Sequence, residues 1–455
     1  MSAPASKSRK NAASAVVLIV IVLAAVAVFA VLSRPSPGTQ SVTVLNPAIG
    51  SPIKIGFITE ITTGVADLEQ ARVGITPVPQ GYAARIGAEL AVNETNAAGG
   101  VDGRMIDLIV DDSQSNPQRA AKQALDLDQY GVLAITGPTN QEDALAISDY
   151  TGPHEVPFVV STLSSAALTP PDNNWTVSVQ PDAVQWGAAV AKYVSEAVPG
   201  AKIALMTQNA DQQVEMAAGV KWYASTFKNE SIVFDQLYAN AQFPWGTAAE
   251  AAKFSGANAV IVSWLPTVEF SQSNVIEALQ SAGFSQKQIF VASVDDQVSD
   301  LGTNATGIRG VTLFDSALST SYPVASSFVN ALEPYIYGDA NKSIAYCGVC
   351  PTEIGSNYYY SYLGMEMMIN AIRNVLSSGQ TLTRSTFMSA MKQTSIVDAF
   401  GSTLNITGTG ASSGTFYVTE VGPLQTNGTT YDLKILESIR FGSGTVPSYT
   451  ILREF

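Results

Sequence analysis

From about Pro52 to Gly401, short apolar runs alternate with amphipathic stretches, and this alternation predicts strands and helices in turn. The strand-like runs are KIGFIT (54–59), MIDLIVDD (105–112), GVLAITGP (131–138), PFVVST (157–162), AKIALMTQ (201–208), SIVFDQLY (231–238), NAVIVSW (258–264), QIFVAS (288–293) and RGVTLF (309–314). They are short and largely unbroken by polar residues, as suits parallel strands covered on both faces. Between them Asn116–Tyr130, Val184–Ala197, Gln212–Phe227, Phe270–Ala282 and Ser356–Ser377 carry apolar positions at helical spacing. Such alternation predicts βαβ units and a doubly wound α/β architecture. Beyond about Gly401 the pattern changes. TFYVTEV, DLKILESIRF and SYTILREF are separated by Gly/Ser/Thr turns and read as antiparallel hairpins.

Gly81–Asp112 shows the unit most clearly. Ala84, Ala88, Ala91 and Thr95 form a stripe of small residues that lets a helix lie close on a sheet. Gly99-Gly100 ends the helix, because glycine takes the left-handed cap without steric cost. Asp102-Gly103 then turns the chain into the apolar run MIDLIV and the pair Asp111-Asp112.

Charge and leader place this body. Of the 455 residues only 14% are charged, and the net charge is −14. Residues 1–34 hold Lys7, Arg9, Lys10 and Arg34 and no acid, so the remainder carries −18. An acidic body excludes nucleic acid as a partner, since phosphates need a basic face. Ala12–Leu32 is uncharged over 21 residues, about 30 Å as a helix and enough to cross a bilayer. Basic residues precede it, which predicts a cytoplasmic tail at 1–11, a transmembrane anchor at 12–32 and an external body. A cleaved signal peptide is the alternative, although its apolar core usually runs only about 7–15 residues. No cysteine follows the run to take a lipid, and residues 33–51 form a Pro/Ser/Thr linker. Seven N-x-S/T sequons, at Asn93, Asn174, Asn229, Asn304, Asn341, Asn405 and Asn427, agree with an external body and are candidate glycosylation sites.

The wording LAVNETNAAGGVDGR, followed by a strand and DD, resembles the signature of the extracellular leucine/isoleucine/valine-binding proteins of ABC importers. Further matches follow in order: GPTNQEDALAISDY, VPFVVSTLSSAALT, VSVQPDAVQWGAAVAKYV and FVASVDDQVSDL. The resemblance runs from about Pro52 to Phe455. It implies the type I periplasmic-binding-protein fold, two doubly wound lobes with the chain crossing between them near 178–182, 312–316 and 398–405. Lobe 1 would then comprise 52–180 and 314–400, and lobe 2 181–313 and 401–455. It also implies a small-molecule ligand in the interlobe cleft and an ABC permease as partner.

On this resemblance a ligand's carboxylate or ammonium meets hydroxyl and amide groups in two loops. Thr162 and Ser164 stand in Ser161–Ser165; in Gly137–Gln141, Asn140 or Gln141 replaces the expected serine. Asp295 follows a strand at the place of an ammonium-binding acid, and Trp264 ends a strand at the cleft. Gln212 or Gln213 stands where a tyrosine is expected, and the segment Val65–Gln80 exceeds the usual length. For each polar residue the plain alternative is helix capping.

Other motifs carry less. Cys347 and Cys350 are the only cysteines and His154 the only histidine, so a four-ligand metal site lacks its ligands. Outside the cell the pair reads as a short-loop disulfide; a redox role wants a strand before it and a helix opening at it, whereas Pro351 follows directly. Gly410–Gly414 spells G-x-S-x-G, but a strand follows where a nucleophile elbow needs a helix. No cofactor motif is present and no enzyme is expected. The sequence therefore predicts a membrane-anchored extracellular protein that captures a small amino acid or related amide and delivers it to an ABC importer. A sensor ectodomain of the same fold, or a glycosylated surface-coat protein, is the alternative.

Overall fold

The computed structural model describes residues 50–451 except 68–71, 164, 239–243, 264–271, 293–300, 302, 339–346, 349, 351–353, 407–409, 425–430, 443 and 448–450. The anchor expected at 12–32 and most of the last expected strand, SYTILREF, lie outside the described residues. No helix among the described residues is long and apolar enough to cross a membrane.

Elements are numbered in chain order. β1 (Ile53–Thr59) is followed by the hairpin β2 (Thr62–Asp67) and β3 (Arg72–Pro77), then α1 (Pro79–Ala97) and β4 (Ile106–Asp112). Next come α2 (Pro117–Tyr130), β5 (Ala134–Thr136), α3 (Gln141–Thr151), β6 (Phe158–Val160) and β7 (Thr176–Ser178). These five strands β4-β1-β5-β6-β7 form one parallel sheet. The segment Val65–Gln80, expected to exceed the usual length, falls largely within β2 and β3, which form a sheet of their own that pairs Thr62 with Pro77. Asp112 pins its start, accepting from Ile61 N (3.0 Å), Thr62 N (3.1 Å) and Thr62 Oγ1 (2.6 Å).

The chain then builds a second sheet. Its elements are α4 (Ala183–Ala197), β8 (Lys202–Gln208), α5 (Asp211–Phe227), β9 (Ser231–Tyr238), α6 (Trp245–Phe254), β10 (Ala259–Ser263), α7 (Gln272–Ser281), β11 (Ile289–Val291) and β12 (Arg309–Thr312). After β12, α8 (Pro323–Tyr337), α9 (Ser356–Ser377) and α10 (Arg384–Met391) pack on the first sheet's side, and β13 (Ser395–Val397) and β14 (Thr403–Asn405) pair with each other. The last strands, β15 (Phe416–Leu424) and β16 (Tyr431–Ile439), return to the second sheet. Its order is β16-β15-β12-β11-β10-β8-β9, parallel from β12 to β9 and antiparallel at β15 and β16.

The first-sheet unit explains the small-residue stripe. Ala84, Ala88 and Ala91 are fully buried and Thr95 nearly so. Their face meets a helix as well as the sheet: a Cβ at Gly87 would stand 2.1 Å from the Tyr358 carbonyl oxygen on α9. Gly99 and Gly100, at φ +99° and +78°, make the turn that only glycine takes without strain. Caps set the helix starts. The Asn116 side chain accepts from Arg119 N (2.9 Å) at the start of α2, and Asn116→Ala is expected to cost about 1 kcal/mol in urea denaturation.

Two of the connections between the sheets share one aromatic cluster. Phe314, just past β12, stacks on Tyr359 of α9 at 4.2 Å and lies 5.6 Å from Phe400. Asp398 ties that junction, accepting from Tyr417 Oη (2.6 Å), Phe400 N (3.0 Å) and Ser402 N (2.8 Å). Cys347 and Cys350 form a disulfide with Cα atoms 5.6 Å apart. The sequon residues Asn93, Asn174, Asn229 and Asn304 are exposed; Asn405 is half-buried in β14, and Asn341 and Asn427 lie outside the described residues.

Candidate functional site

Parallel strands place their carboxyl ends along one sheet edge, and open α/β sheets bind small molecules there. In the first sheet that edge carries Glu60 after β1, the loop 137–140 after β5 and the loop 161–166 after β6. In the second it carries Thr207 and Gln208 at the end of β8, and the opening turns of α5. One side chain spans the two edges. Glu215, on α5 and only 5% exposed, accepts from Ser165 Oγ at 2.8 Å and from Ala166 N at 2.8 Å. Gln141 Nε2, at the start of α3, adds a third donor at 3.2 Å.

A second acid is sunk into the first sheet's edge. Glu60, 3% exposed, accepts from Thr139 N at 3.1 Å and from the Thr139 hydroxyl. Burial pushes the carboxyls of both Glu60 and Glu215 up to about 7, against the lowering effect of the N–H and O–H groups that face them. The charge of Asp143 raises Glu60 further, and that of Asp182 raises Glu215. Among the described residues neither carboxylate has a Lys or Arg within ion-pair distance. At the two strand-end edges several buried polar atoms have no hydrogen-bond partner among the described residues, including Gln141 Oε1, Thr207 Oγ1 and Gln208 Oε1.

The expected ligand residues fall into three groups. Gln141 stands at the junction, bonded to Glu215. Asn140 and Thr162 lie in the expected loops but are bonded within the first sheet's unit. Asn140 caps α3, accepting from Asp143 N at 2.8 Å and donating to Asp143 Oδ2 at 3.0 Å. Thr162 Oγ1 donates to the carbonyls of Gly137 (3.0 Å) and Pro138 (2.9 Å). Gln212 is half-buried on α5, while its neighbour Gln213 is buried. Ser164, Trp264 and Asp295 lie outside the described residues. Sequence reasoning passed over Glu60, Ser165 and Glu215. The available signal for Glu215 is an acid inside the otherwise apolar stretch VEMAAGV, on the face of Gly219, with no cation three or four positions away.

The remaining motifs contribute no chemistry here. Exposed His154 stacks on Tyr150 at 4.1 Å, with Nδ1 2.7 Å from the Tyr150 carbonyl. Ser412 of the G-x-S-x-G match is buried just before β15, a strand.

Two α/β units with carboxyl ends in contact describe a binding protein, and a family model described as periplasmic binding protein matches residues 52–429. The chain belongs to that family. Among solved structures, this periplasmic binding protein is similar to an ABC transporter substrate-binding protein from Sphaerobacter thermophilus, with TM-score 0.68 and 19% identity over 86% of this chain and 98% of the other. A solute-binding protein of an ABC transporter from Rhodopseudomonas palustris, in complex with 3,4-dihydroxybenzoic acid, gives 0.66 and 18% over 87% and 99%. A leucine-binding protein from Thermotoga maritima gives 0.62 and 18% over 85% and 98%. At these identities the likeness is one of fold, the type I periplasmic-binding-protein fold. No curated protein sequence matches the chain.

Proposed function

We propose that this periplasmic binding protein captures a small amino acid or related amide between its two units and delivers it to an ABC importer, held at the membrane by residues 12–32. The observation that carries the reading is the buried contact of Glu215 with Ser165, Ala166 and Gln141, which joins the two strand-end edges. Closure of that junction around a solute excludes water and strengthens each polar contact within it. The side-chain donors of Thr139, Asn140, Thr162 and Ser165 are engaged by protein groups, while carboxylates and unpaired amide oxygens stand at the two edges, so a solute bearing N–H groups is the complement. Solved relatives of the same fold include proteins titled as binding leucine and 3,4-dihydroxybenzoic acid, which shows that the fold accommodates solutes of this size. The uncharged run Ala12–Leu32 with its basic flank supports the anchor.

Native mass spectrometry of the full-length protein is expected to show a bound solute of a few hundred daltons at most. A thermal-shift screen of amino acids, amides and amines is expected to raise the melting temperature with at least one of them. A protein that carries no solute and responds to none of these classes is not the receptor proposed here.

A further inference from the structure

Glu215 is placed as a ligand's carboxylate would be. Both of its oxygens are satisfied, and every donor comes from the opposite unit: a hydroxyl, a backbone N–H and a side-chain amide. Ser165 is wholly buried, so this seat is internal to the junction and not a surface contact. A carboxylate taken out of water without a cation needs such convergent donors, and they favour the anion in the way they would favour that of a solute. The neighbouring donors are likewise committed. Thr139 turns its N–H and hydroxyl to Glu60, Asn140 donates to Asp143, and Thr162 donates to two carbonyls. Unpaired at the two edges among the described residues are Gln141 Oε1, Asp143 Oδ1, Gln208 Oε1 and the Thr207 hydroxyl, the two amide oxygens being acceptors only.

We propose that the carboxylate seat of the first unit is filled by the protein's own Glu215, so that the solute it admits is an amide or amine without a free carboxylate. This rests on the binding-protein reading above and narrows its solute class. A second carboxylate brought to the junction would meet Glu215 and Glu60 across a low-dielectric gap and find the donors of Ser165 and Ala166 occupied. An amide or ammonium group instead supplies the donors that the acceptor oxygens of Gln141 and Gln208 lack. The proposal thus separates this chain from a same-fold protein titled as holding 3,4-dihydroxybenzoic acid.

Chemical rescue tests the seat directly. The purified full-length wild type and its Glu215→Ala and Glu215→Gln variants are melted at pH 8 in sodium acetate, sodium benzoate or sodium chloride of equal ionic strength. Wild type is expected to melt at the same temperature in all three salts. Glu215→Ala, with its seat vacated, is expected to gain several degrees in acetate or benzoate, saturating in the millimolar range. Glu215→Gln, which keeps the bulk but turns an NH2 group toward donors, is expected to fall between and provides the comparison should the alanine variant not fold. Carboxylate stabilisation of wild type equal to that of either variant overturns the proposal, and so does indifference to carboxylate in every variant that folds. The test needs no identified solute, so a failed solute screen and a failed rescue are separate results.

Discussion

Gly187→Ala is expected to cost the fold about 3 kcal/mol, and Gly219→Ala a similar amount, because both glycines lie where α4 and α5 touch backbone to backbone. A Cβ at Gly187 would stand 1.8 Å from the Met216 carbonyl oxygen, and one at Gly219 would stand 2.0 Å from that of Val184. Neither obstacle is a flexible side-chain end, so the helices must separate by more than an ångström and loosen their shared core. Both changes force the same separation, so the double variant is expected to lose less than the sum. Gly246→Ala on α6 is the control: nothing lies within 4 Å of its Cβ position, and alanine's helix propensity makes it neutral or stabilising. Urea denaturation of the three variants reads the difference, and a Gly187→Ala protein as stable as Gly246→Ala would show that the crossing is not as tight as described. The consequence reaches the junction, since Glu215 lies one turn before Gly219. Moving α5 outward draws that carboxylate away from Ser165 and Ala166.

The architecture was legible because burial on both faces of a parallel strand writes unbroken apolar runs such as AKIALMTQ and NAVIVSW. The elements that escaped notice lack such a mark. β7 has only three residues, α6 is an alanine-rich helix, and α8 contains Pro334, which in sequence reads as a stop. The two loops of the junction could also be located, since each follows a strand and opens into polar residues. The assignment within them is not written in sequence. Asn140 as a ligand contact and Asn140 as the cap of α3 use the same amide in the same loop, and the structure shows the cap. Glu215 shows the converse. Its partners Ser165 and Ala166 are about fifty positions away, on the other sheet's edge, and no periodicity relates two strand ends that meet only through the fold.

Glu60→Gln is expected to gain about 2.5 kcal/mol on wild type between pH 5 and pH 8. The Glu60 carboxyl is raised from 4.5 to about 7, mainly by burial and in part by the charge of Asp143. The unfolded chain therefore releases this proton near pH 4.5, while the folded chain keeps it until about 7. Across that interval the unfolded state binds fewer protons, so stability falls as pH rises and levels off above the folded value. Of the displacement of about 2.5 units, a little under 2 fall between pH 5 and pH 8, and at about 1.4 kcal/mol each they give the size stated. Glutamine keeps an oxygen to accept from Thr139 and carries no charge to desolvate, so the variant lacks this slope. Glu215, raised over the same interval, leaves a parallel slope in both proteins that cancels in the comparison. Urea denaturation at the two pH values measures the effect. A stability difference between variant and wild type that stays constant with pH would mean that Glu60 is ionised in the folded protein throughout, its N–H and O–H partners outweighing burial.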